Sequence, residues 1–195
     1  HHNIAVEHFM NTGPFAVLPL AGGKESSIVW IENSNIAKLY SNMKHDEFNY
    51  HMRKKLGNYL GKAEINSHIQ CYPLSAHIAD KYYHKNIALI ADSAHVIHPL
   101  AGQGLNIGIR DVKSLVNIIN EHMQLGLNID EVALAEYQQE RQADNYLMFA
   151  IIDSLNAIFS NNNPVFAKCR RVCLDLIQNS PRLKKFFMNY AMGQN

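Results

Sequence analysis

The residues best suited to chemistry stand together in one stretch, IADSAHVIHPLAGQGLNIGIRD, at positions 90–111. An acid in this stretch, Asp92, directly follows an apolar run. At the end of a strand, a carboxylate can accept hydrogen bonds from the hydroxyls of a sugar or sugar alcohol, as acids do in dinucleotide sites. A cap for a helix or turn is an equally good interpretation of the same residue.

A short glycine-rich bend follows. Pro99, Gly102 and Gly104 precede a helical pattern, and Gly108 lies within its first turn. Glycine lets a backbone approach a ligand closely. A helix start offers free N–H groups and about half a positive charge, which favours an anionic ligand by about 0.3–2 kcal/mol. A phosphate and an anionic ring atom both suit such a site. The spacing is neither a P-loop nor G-x-G-x-x-G, and a tight turn with close helix packing is the alternative.

Two histidines, His95 and His98, lie between the acid and the glycines. A metal site is conceivable here, but no further ligand cluster accompanies them, so we predict none. Structural hydrogen bonds, or a place in the lining of a ligand pocket, suit these histidines better. The sequence has no G-x-S-x-G and no H-E-x-x-H motif. If the protein is an enzyme, we therefore expect a cofactor to supply its chemistry.

Composition narrows the class of protein. The 195 residues are 47% hydrophobic and 18% charged, with a net charge of +1. A nucleic-acid partner is not expected, because its footprint is a strong basic excess. Three cysteines do not make a disulfide framework, which favours a reducing, cytoplasmic compartment. No apolar run is long enough for a membrane span, and no signal peptide is evident.

The first third of the chain is strand-like and then helical. Three β-rich runs at 4–9, 15–20 and 26–32 are separated by turn residues, which predicts an antiparallel meander. A helical pattern over 46–61 places Phe48, Met52 and Leu56 on one face, with Tyr59 or Leu60. Residues 64–79 are predicted to be extended, with a break at Pro73.

The stretch at 90–111 falls between a predicted strand and a predicted helix. The run from Ile87 to Ala91 is continuously apolar, which is typical of a strand covered on both faces in a parallel sheet. The helical period then begins, with an apolar stripe of the kind that a helix presents to a core. Its members are Leu105, Ile109, Val112, Val116 and Ile119. The loop would lie at the carboxyl end of the strand, where open α/β sheets bind ligands.

The last third is predicted to be helical. Asp130 is a candidate N-cap for a long helix, in which Leu147, Ile151, Ile158 and either Ser154 or Leu155 share a face. Pro164 and Pro181 each follow a capping residue and mark two further helix starts. Basic residues near the end of the chain accompany aromatic and apolar ones: Arg170, Arg171, Arg182, Lys184 and Lys185 with Phe186, Phe187 and Met188. They suit an anionic membrane surface, or equally a solvated face beside a core edge.

Taken together, these motifs resemble a known family. ADSAHVIHPLAGQGLNIGIRD is similar to the second flavin-binding motif of the class A FAD-dependent aromatic hydroxylases, G-D-A-A-H followed by P-x-x-G-Q-G-x-N-x-G-x-x-D. HPLAGQGLNIGIRDVKSL resembles in particular the hydroxylases of ubiquinone biosynthesis. NIAVEHF, GPFAVLPL, SIVW, YPL, the segment at 137–164 and the tail SPRLKKFFMNYAMG agree, so that the resemblance covers nearly the whole chain.

The resemblance implies an FAD-dependent monooxygenase, in which reduced flavin and O2 hydroxylate a phenol that carries a polyprenyl chain. NAD(P)H or another donor would supply the electrons. By the motif match, Asp92 would contact the ribityl and pyrophosphate region. Backbone N–H groups at Gly102, Gln103, Gly104, Leu105 and Asn106 would face the isoalloxazine. His98 and Pro99 would line the space near the ring. The resemblance names no catalytic residue in this chain.

The resemblance also implies a p-hydroxybenzoate-hydroxylase-like fold of the α+β or α/β class. Residues 1–85 would belong to the substrate-side antiparallel sheet, 86–127 to the last strand, loop and helix of the FAD domain, and 128–195 to a carboxyl-terminal helical region. The family's amino-terminal G-x-G-x-x-G is not found in this sequence, and the chain opens as a strand already in progress. We therefore expect a downstream fragment that is inactive alone. Ala91 also replaces the motif's usual glycine.

Two other functions stay open at this level. One is a hydroxylase of another small aromatic substrate. The other is a non-catalytic module for assembly, whose helices and basic tail dock subunits of a ubiquinone-biosynthesis complex or the inner face of the membrane.

Overall fold

The computed structural model describes residues 1–98, 102–160 and 163–191 of the chain. The chain divides into two compact units. The first unit comprises residues 1–73 together with Phe159 and Ser160, the last two residues of helix α4 (Glu131–Ser160). The second unit comprises residues 74–158 and the described residues from 163 on. The fold is of the mixed α and β class that the sequence predicts.

The first unit begins with the predicted antiparallel meander. Its strands are β1 (Val6–Met10), β2 (Gly13–Pro19) and β3 (Ser26–Trp30), with β2 in the middle. Phe15 and Val17 point from β2 into the core of this unit. The period of two along β2 is what places both on the buried face.

Two helices follow the meander, α1 (Ser34–Ser41) and α2 (His45–Leu56). No sequence signal had pointed to α1, which buries none of its residues. In α2 the predicted residues Phe48, Met52 and Leu56 are buried and complete the core with β2. The predicted end at residue 61 was wrong: α2 ends at Leu56 because Gly57 adopts a left-handed φ of 73°.

The second unit starts with irregular chain and short strands. Residues 64–73 at the end of the first unit and 74–76 at the start of the second form no regular element, whereas the sequence predicts extended chain there. Four two-residue strands follow, and β4 pairs with β7 and β5 with β6, both antiparallel. They are β4 (His77–Ile78), β5 (Tyr83–His84), β6 (Ile87–Ala88) and β7 (His95–Val96), with a short 3-10 turn at Ala91–Ser93.

The predicted parallel strand over Ile87 to Ala91 is not found in the described chain. Only β6 forms there, its partner is antiparallel, and the Ile87 side chain is 65% exposed. A continuous apolar run indicates that these side chains favour burial, but it does not identify the strands that would cover them. Within the described residues only Ala88 and Leu89 of the run pack against a core cluster.

Four helices complete the chain: α3 (Gly104–Gln124), α4, α5 (Pro164–Asn179) and α6 (Pro181–Ala191). The starts predicted at Pro164 and Pro181 are confirmed. Asp130 also caps α4 as predicted, since its Oδ1 accepts the Val132 N–H at 2.9 Å.

The apolar stripes predicted for α3 and α4 are not the faces that these helices bury. Leu105, Ile109, Val112 and Val116 are exposed on α3, and Leu147, Ile151, Leu155 and Ile158 are exposed on α4. The buried faces instead include polar side chains, among them Asp111 and Ser114 on α3 and Arg141 and Asn145 on α4. Around them lie two small cores, one built on Tyr82, Ile118 and Tyr137 and one on Ile97, Ile107 and Met148.

Candidate functional site

An open cavity of about 490 Å³ lies between the 3-10 turn and the first two turns of α3. Both elements belong to the second unit. The cavity therefore brings together the acid and the glycines that the sequence singled out. Its lining consists of Ala91, Asp92, Gly104, Leu105, Gly108, Ile109 and Val112.

Asp92 presents a free carboxylate to this cavity. The residue is exposed, and no hydrogen bond joins its side chain to another described residue. The turn is instead capped by Ser93, whose Oγ accepts the Ile90 N–H at 3.0 Å and donates to the Ile90 carbonyl at 2.6 Å. Of the two interpretations of Asp92, the cap is thus taken by its neighbour, and the carboxylate is available to a ligand.

The start of α3 faces the same cavity. The first intrahelical bond is donated by Ile107 N–H to the Gln103 carbonyl at 3.0 Å, and among the described residues no side-chain hydrogen bond caps the helix. The amides of Gly104, Leu105 and Asn106 precede that bond, so the positive end of the helix dipole is directed toward the cavity. No atom lies within 4 Å of where a Cβ on Gly104 would stand, which leaves the space beside it open.

The 3-10 turn and α3 approach each other closely at one glycine. A Cβ on Gly108 would stand 2.7 Å from the Cβ of Ala91, which is closer than van der Waals contact allows. Ala91 itself adopts a left-handed φ of 51°, a conformation that is sterically costly for an L-residue with a side chain. Glycine, the usual residue of the motif at this position, would carry no such cost.

A buried carboxylate behind the turn holds this arrangement. Asp111, on α3, is fully buried. Its Oδ2 accepts the Ala91 backbone N–H at 3.0 Å and lies 2.6 Å from His95 Nε2. Its Oδ1 accepts Arg141 Nε at 2.9 Å and Asn145 Nδ2 at 3.3 Å. These four donors come from three elements: the 3-10 turn, β7 and α4.

Arg141 and Asn145 extend the cluster along α4. Arg141 also donates to Asp144 Oδ2 at 2.8 Å and to Asn145 Oδ1 at 2.9 Å. The amide of Asn145 reaches the Tyr82 hydroxyl at 3.2 Å. We refer to Asp111, His95, Arg141 and Asn145 as the polar cluster. Buried hydrogen bonds join α3, α4 and β7 in this cluster, and the partly buried bond from the Ala91 N–H to Asp111 links it to the 3-10 turn.

The charge state of the polar cluster follows from these contacts. Burial by itself would raise the pKa of Asp111, but hydrogen bonds from His95, Arg141 and the Ala91 amide outweigh it, so that the pKa lies below its usual value. Asp111 is therefore ionised at neutral pH, and His95 Nε2 donates to it. The pKa of Arg141 is raised despite the cost of its burial, because it donates to Asp111 and Asp144.

The structure distributes the predicted site residues as follows. Asp92, Gly104 and Leu105 line the cavity, while Gly102, Gln103 and Asn106 lie at the adjoining start of α3. The Nδ1 atom of His98 is buried and has no hydrogen-bond partner among the described residues. Pro99 lies outside the described residues. His95 takes the structural role that its sequence neighbourhood favours.

The sequence did not point to three members of the polar cluster, Asp111, Arg141 and Asn145. Asp111 is the final acid of the motif, but no role was attached to it. A signal was present, since the buried residues Ile107, Asp111, Ser114, Ile118 and His122 of α3 recur at helical spacing. Three of these five side chains are polar, so the face does not show up as an apolar stripe. Among the residues that the structure describes, no group of three or more His, Cys, Asp or Glu side chains is placed to hold a metal ion.

Comparison with known proteins shows which family this chain belongs to. The sequence model of the family described as FAD binding domain matches residues 2–148. This chain belongs to that family of FAD-binding proteins. It is 38% identical over 194 residues to the ubiquinone hydroxylase UbiL of Rhodospirillum rubrum, covering 99% of this chain and 45% of the relative. It is 32% identical over 188 residues to the 3-demethoxyubiquinol 3-hydroxylase of Escherichia coli, covering 96% and 48%.

Solved structures define the fold. The structure of PqsL, a probable FAD-dependent monooxygenase from Pseudomonas aeruginosa, superposes with a TM-score of 0.61 at 19% identity, covering 80% of this chain and 44% of that one. The fold is therefore that of this class of flavin monooxygenases. The chain spans about half the length of the curated relatives that it matches.

The residues present fit one part of an FAD molecule. Asp92 supplies an acceptor for hydroxyl groups, the start of α3 supplies donors, and Gly104 keeps the space between them open. Such a set suits a ligand with both hydroxyls and an electron-rich ring edge.

Proposed function

We propose that the protein is an FAD-dependent monooxygenase that hydroxylates a polyprenylated phenol in ubiquinone biosynthesis. The observation that carries this proposal is the cavity in which the Asp92 carboxylate, which has no hydrogen-bond partner among the described residues, lies beside the first turn of α3. The names of the two relatives support the substrate class, since both are hydroxylases of ubiquinone or a precursor of it. A different aromatic substrate is the alternative.

Each part of the site has a distinct role in this proposal. The bound flavin supplies the redox chemistry. Asp92 accepts hydrogen bonds from the ribityl hydroxyls and orients the chain between phosphate and ring. The amides at the start of α3 stabilise negative charge at the pyrimidine end of the ring, as preorganised donors do in an oxyanion site. By the motif match, His98 and Pro99 would border the ring, and NAD(P)H is the proposed electron donor.

The first test is a visible absorption spectrum of the protein expressed at full length. We expect a flavin spectrum, or its appearance when FAD is added to the purified apoprotein. A preparation that is colourless and takes up no FAD would contradict the proposal and would favour a non-catalytic module for assembly. If the protein binds flavin but does not oxidise NAD(P)H, the FAD assignment would stand and NAD(P)H would be excluded as the electron donor.

Asp92→Ala tests the residue that carries the proposal. Loss of hydrogen bonds to a charged acceptor should raise the Kd for FAD by about tenfold or more. Asp153→Ala is the matched control, because Asp153 is exposed on α4 and does not line the cavity. Equal Kd values for the two variants would exclude Asp92 from the flavin site. Fluorescence quenching of FAD on titration measures both.

We also propose a peripheral contact between the carboxyl-terminal helices and an anionic membrane surface. No helix in the described part of the chain is long and apolar enough to cross a membrane. On α6, Arg182, Lys184 and Lys185 are exposed and no acidic residue stands between Pro181 and Ala191. Leu183 is exposed among them. Cations beside an apolar side chain suit the headgroup region of anionic lipid.

Vesicle sedimentation tests this contact. The full-length protein should bind vesicles that contain anionic lipid more strongly than neutral phosphatidylcholine vesicles, and salt should weaken the binding because it screens exposed charges. Replacing Lys184 and Lys185 with Glu should abolish the difference, whereas replacing Lys24 and Lys44, exposed in the first unit, should not. Equal binding to both lipids would indicate that α6 is a solvated face or docks a subunit of a biosynthetic complex.

A further inference from the structure

We propose that Asp111 is a positioning residue that sets the affinity for flavin through the left-handed turn at Ala91. The proposal rests on the function proposed above. Asp111 does not line the cavity and is fully buried, so any influence on the ligand has to pass through another residue. Among the described residues, the Ala91 backbone is the one part of the cavity lining that donates a hydrogen bond to Asp111.

The contact is placed where the turn is strained. Ala91 has a φ of 51°, and an L-residue with a side chain relaxes toward negative φ unless the surrounding structure holds it. Oδ2 of Asp111 accepts the Ala91 N–H at 3.0 Å and thereby fixes the orientation of that peptide plane. Asp92 is the next residue in the chain. Its direction into the cavity follows from the φ and ψ of Ala91.

The carboxylate is itself held in place from three other directions. His95 Nε2 lies 2.6 Å from the same Oδ2, and Arg141 Nε and Asn145 Nδ2 reach Oδ1 at 2.9 and 3.3 Å. Consequently Asp111 cannot rotate to follow the turn; the turn has to conform to Asp111. Because the polar cluster is fixed by the packing of α3 against α4, it also fixes the turn and, through the turn, the direction of Asp92.

This role predicts a specific rescue. Glycine adopts a left-handed φ without steric cost and needs no hydrogen bond to hold it there. In Ala91→Gly the turn should keep its shape after Asp111 is changed. The stability that the cluster provides through Arg141 would not return, because that ion pair does not involve residue 91. Affinity and stability should therefore separate.

The experiment is a double-mutant cycle in the full-length protein with FAD as the titrant. In the Ala91 background, Asp111→Asn should raise the Kd for FAD by about tenfold, which corresponds to the loss of the partly buried hydrogen bond from the Ala91 N–H. In the Ala91→Gly background, the same change should raise it by less than about threefold. The melting temperature of the apoprotein should fall with Asp111→Asn in both backgrounds.

Asn145→Ala is the control within the polar cluster. Asn145 contacts Oδ1 of Asp111 and not the turn, so its loss should lower the melting temperature while the Kd for FAD changes much less than in Asp111→Asn. An equal Kd penalty for Asp111→Asn in both backgrounds, or no penalty at all, would overturn the positioning role. Absence of FAD binding by the wild-type protein would overturn the proposed function itself, and the two failures are thereby distinguished.

Hydrogen exchange supplies a test that does not require Asp111→Asn to fold. In the wild-type protein the Ala91 amide is bonded to Asp111, whereas no hydrogen bond from the Asp92 amide to another described residue is observed. The Ala91 amide should exchange at least about tenfold more slowly than the Asp92 amide. Equal rates would show that Asp111 does not hold the turn and would overturn the proposal.

Discussion

At the scale of single residues, the contact between Ala91 and Gly108 decides how closely α3 approaches the 3-10 turn. Ala91 stands where the motif of the family usually has glycine. In the structure its methyl group faces α3 at Gly108, and a Cβ on Gly108 would lie 2.7 Å from it. A glycine within a helix normally weakens it. Because Gly108 has no side chain, the turn can approach α3 closely enough to bond to Asp111, and Asp92 can border the cavity.

Gly108→Ala should destabilise the protein by about 1–2 kcal/mol. Overpacking against Ala91 costs about 1–3 kcal/mol, and the gain in helix propensity offsets up to about 1 kcal/mol of this. Adding Ala91→Gly removes the clashing Cβ and should restore the free energy of unfolding, which urea denaturation measures. Gly104→Ala is the control, because open space surrounds its Cβ position. A double variant as unstable as Gly108→Ala would contradict this account.

At the scale of elements, the polar cluster explains why α3 and α4 bury other faces than the sequence predicts. A charged pair such as Asp111 and Arg141 is normally assigned to a surface. In this protein each partner satisfies the other, together with His95 and Asn145, and burial is compensated by the hydrogen bonds. The face that packs is therefore the one that completes the network rather than the more apolar one.

A second buried histidine joins the other end of α3 to α4 and predicts a pH dependence. His122 Nε2 lies 3.0 Å from Glu136 Oε2, and that hydrogen bond raises the pKa of His122 above 6.5. Its contribution to stability is fully present below pH 6.5 and is lost as the pH rises through the raised pKa. Glu136→Gln should therefore flatten the fall in unfolding free energy above pH 6.5.

Glu140→Gln, an exposed change on the same helix, serves as the control for this pH dependence. Chemical denaturation of the wild type and both variants at pH values on either side of the raised pKa measures the effect. If the wild type and Glu136→Gln lose stability in parallel above pH 6.5, the ion pair does not contribute.

At the scale of the whole molecule, an apolar stripe leads away from the site along α3. Leu105 is 75% exposed and Ile109 57%, and Val112 and Val116 continue the same face. Isolated exposed apolar residues are ordinary, but a contiguous row is typical of an interface. The curated relatives are about twice as long as this chain. We expect the stripe to be covered in the full-length protein.

Val116→Glu tests this expectation. If another part of the full-length protein covers the stripe, a buried unpaired charge should lower its unfolding free energy by more than about 2 kcal/mol. Asn117→Glu, one position along on the polar side of α3, should change it by less than about 0.5 kcal/mol. A Val116→Glu variant as stable as Asn117→Glu would indicate that the stripe faces solvent there too. Thermal and denaturant unfolding of both proteins measures the difference.

Local chemistry was sufficient for part of this architecture. The meander follows from alternating strands and turn residues, and the starts of α4, α5 and α6 follow from Asp130, Pro164 and Pro181. These features are determined by neighbours a few residues away, which a sequence displays directly. The motif at 90–111 likewise contains its acid, its glycines and its helix start in order. The sequence by itself therefore predicts where the candidate site lies and suggests its ligand.

The tertiary structure alone decided how that site is held. The bond between the Ala91 amide and Asp111 joins residues 20 apart, and Arg141 reaches Asp111 from 30 residues away. Neither distance leaves a periodic trace in one sequence. The buried faces of α3 and α4, and the short antiparallel β6 in place of a long parallel strand, depend in the same way on which partners arrive from elsewhere. Burial and hydrogen-bond satisfaction are collective quantities, and only the folded chain assigns them.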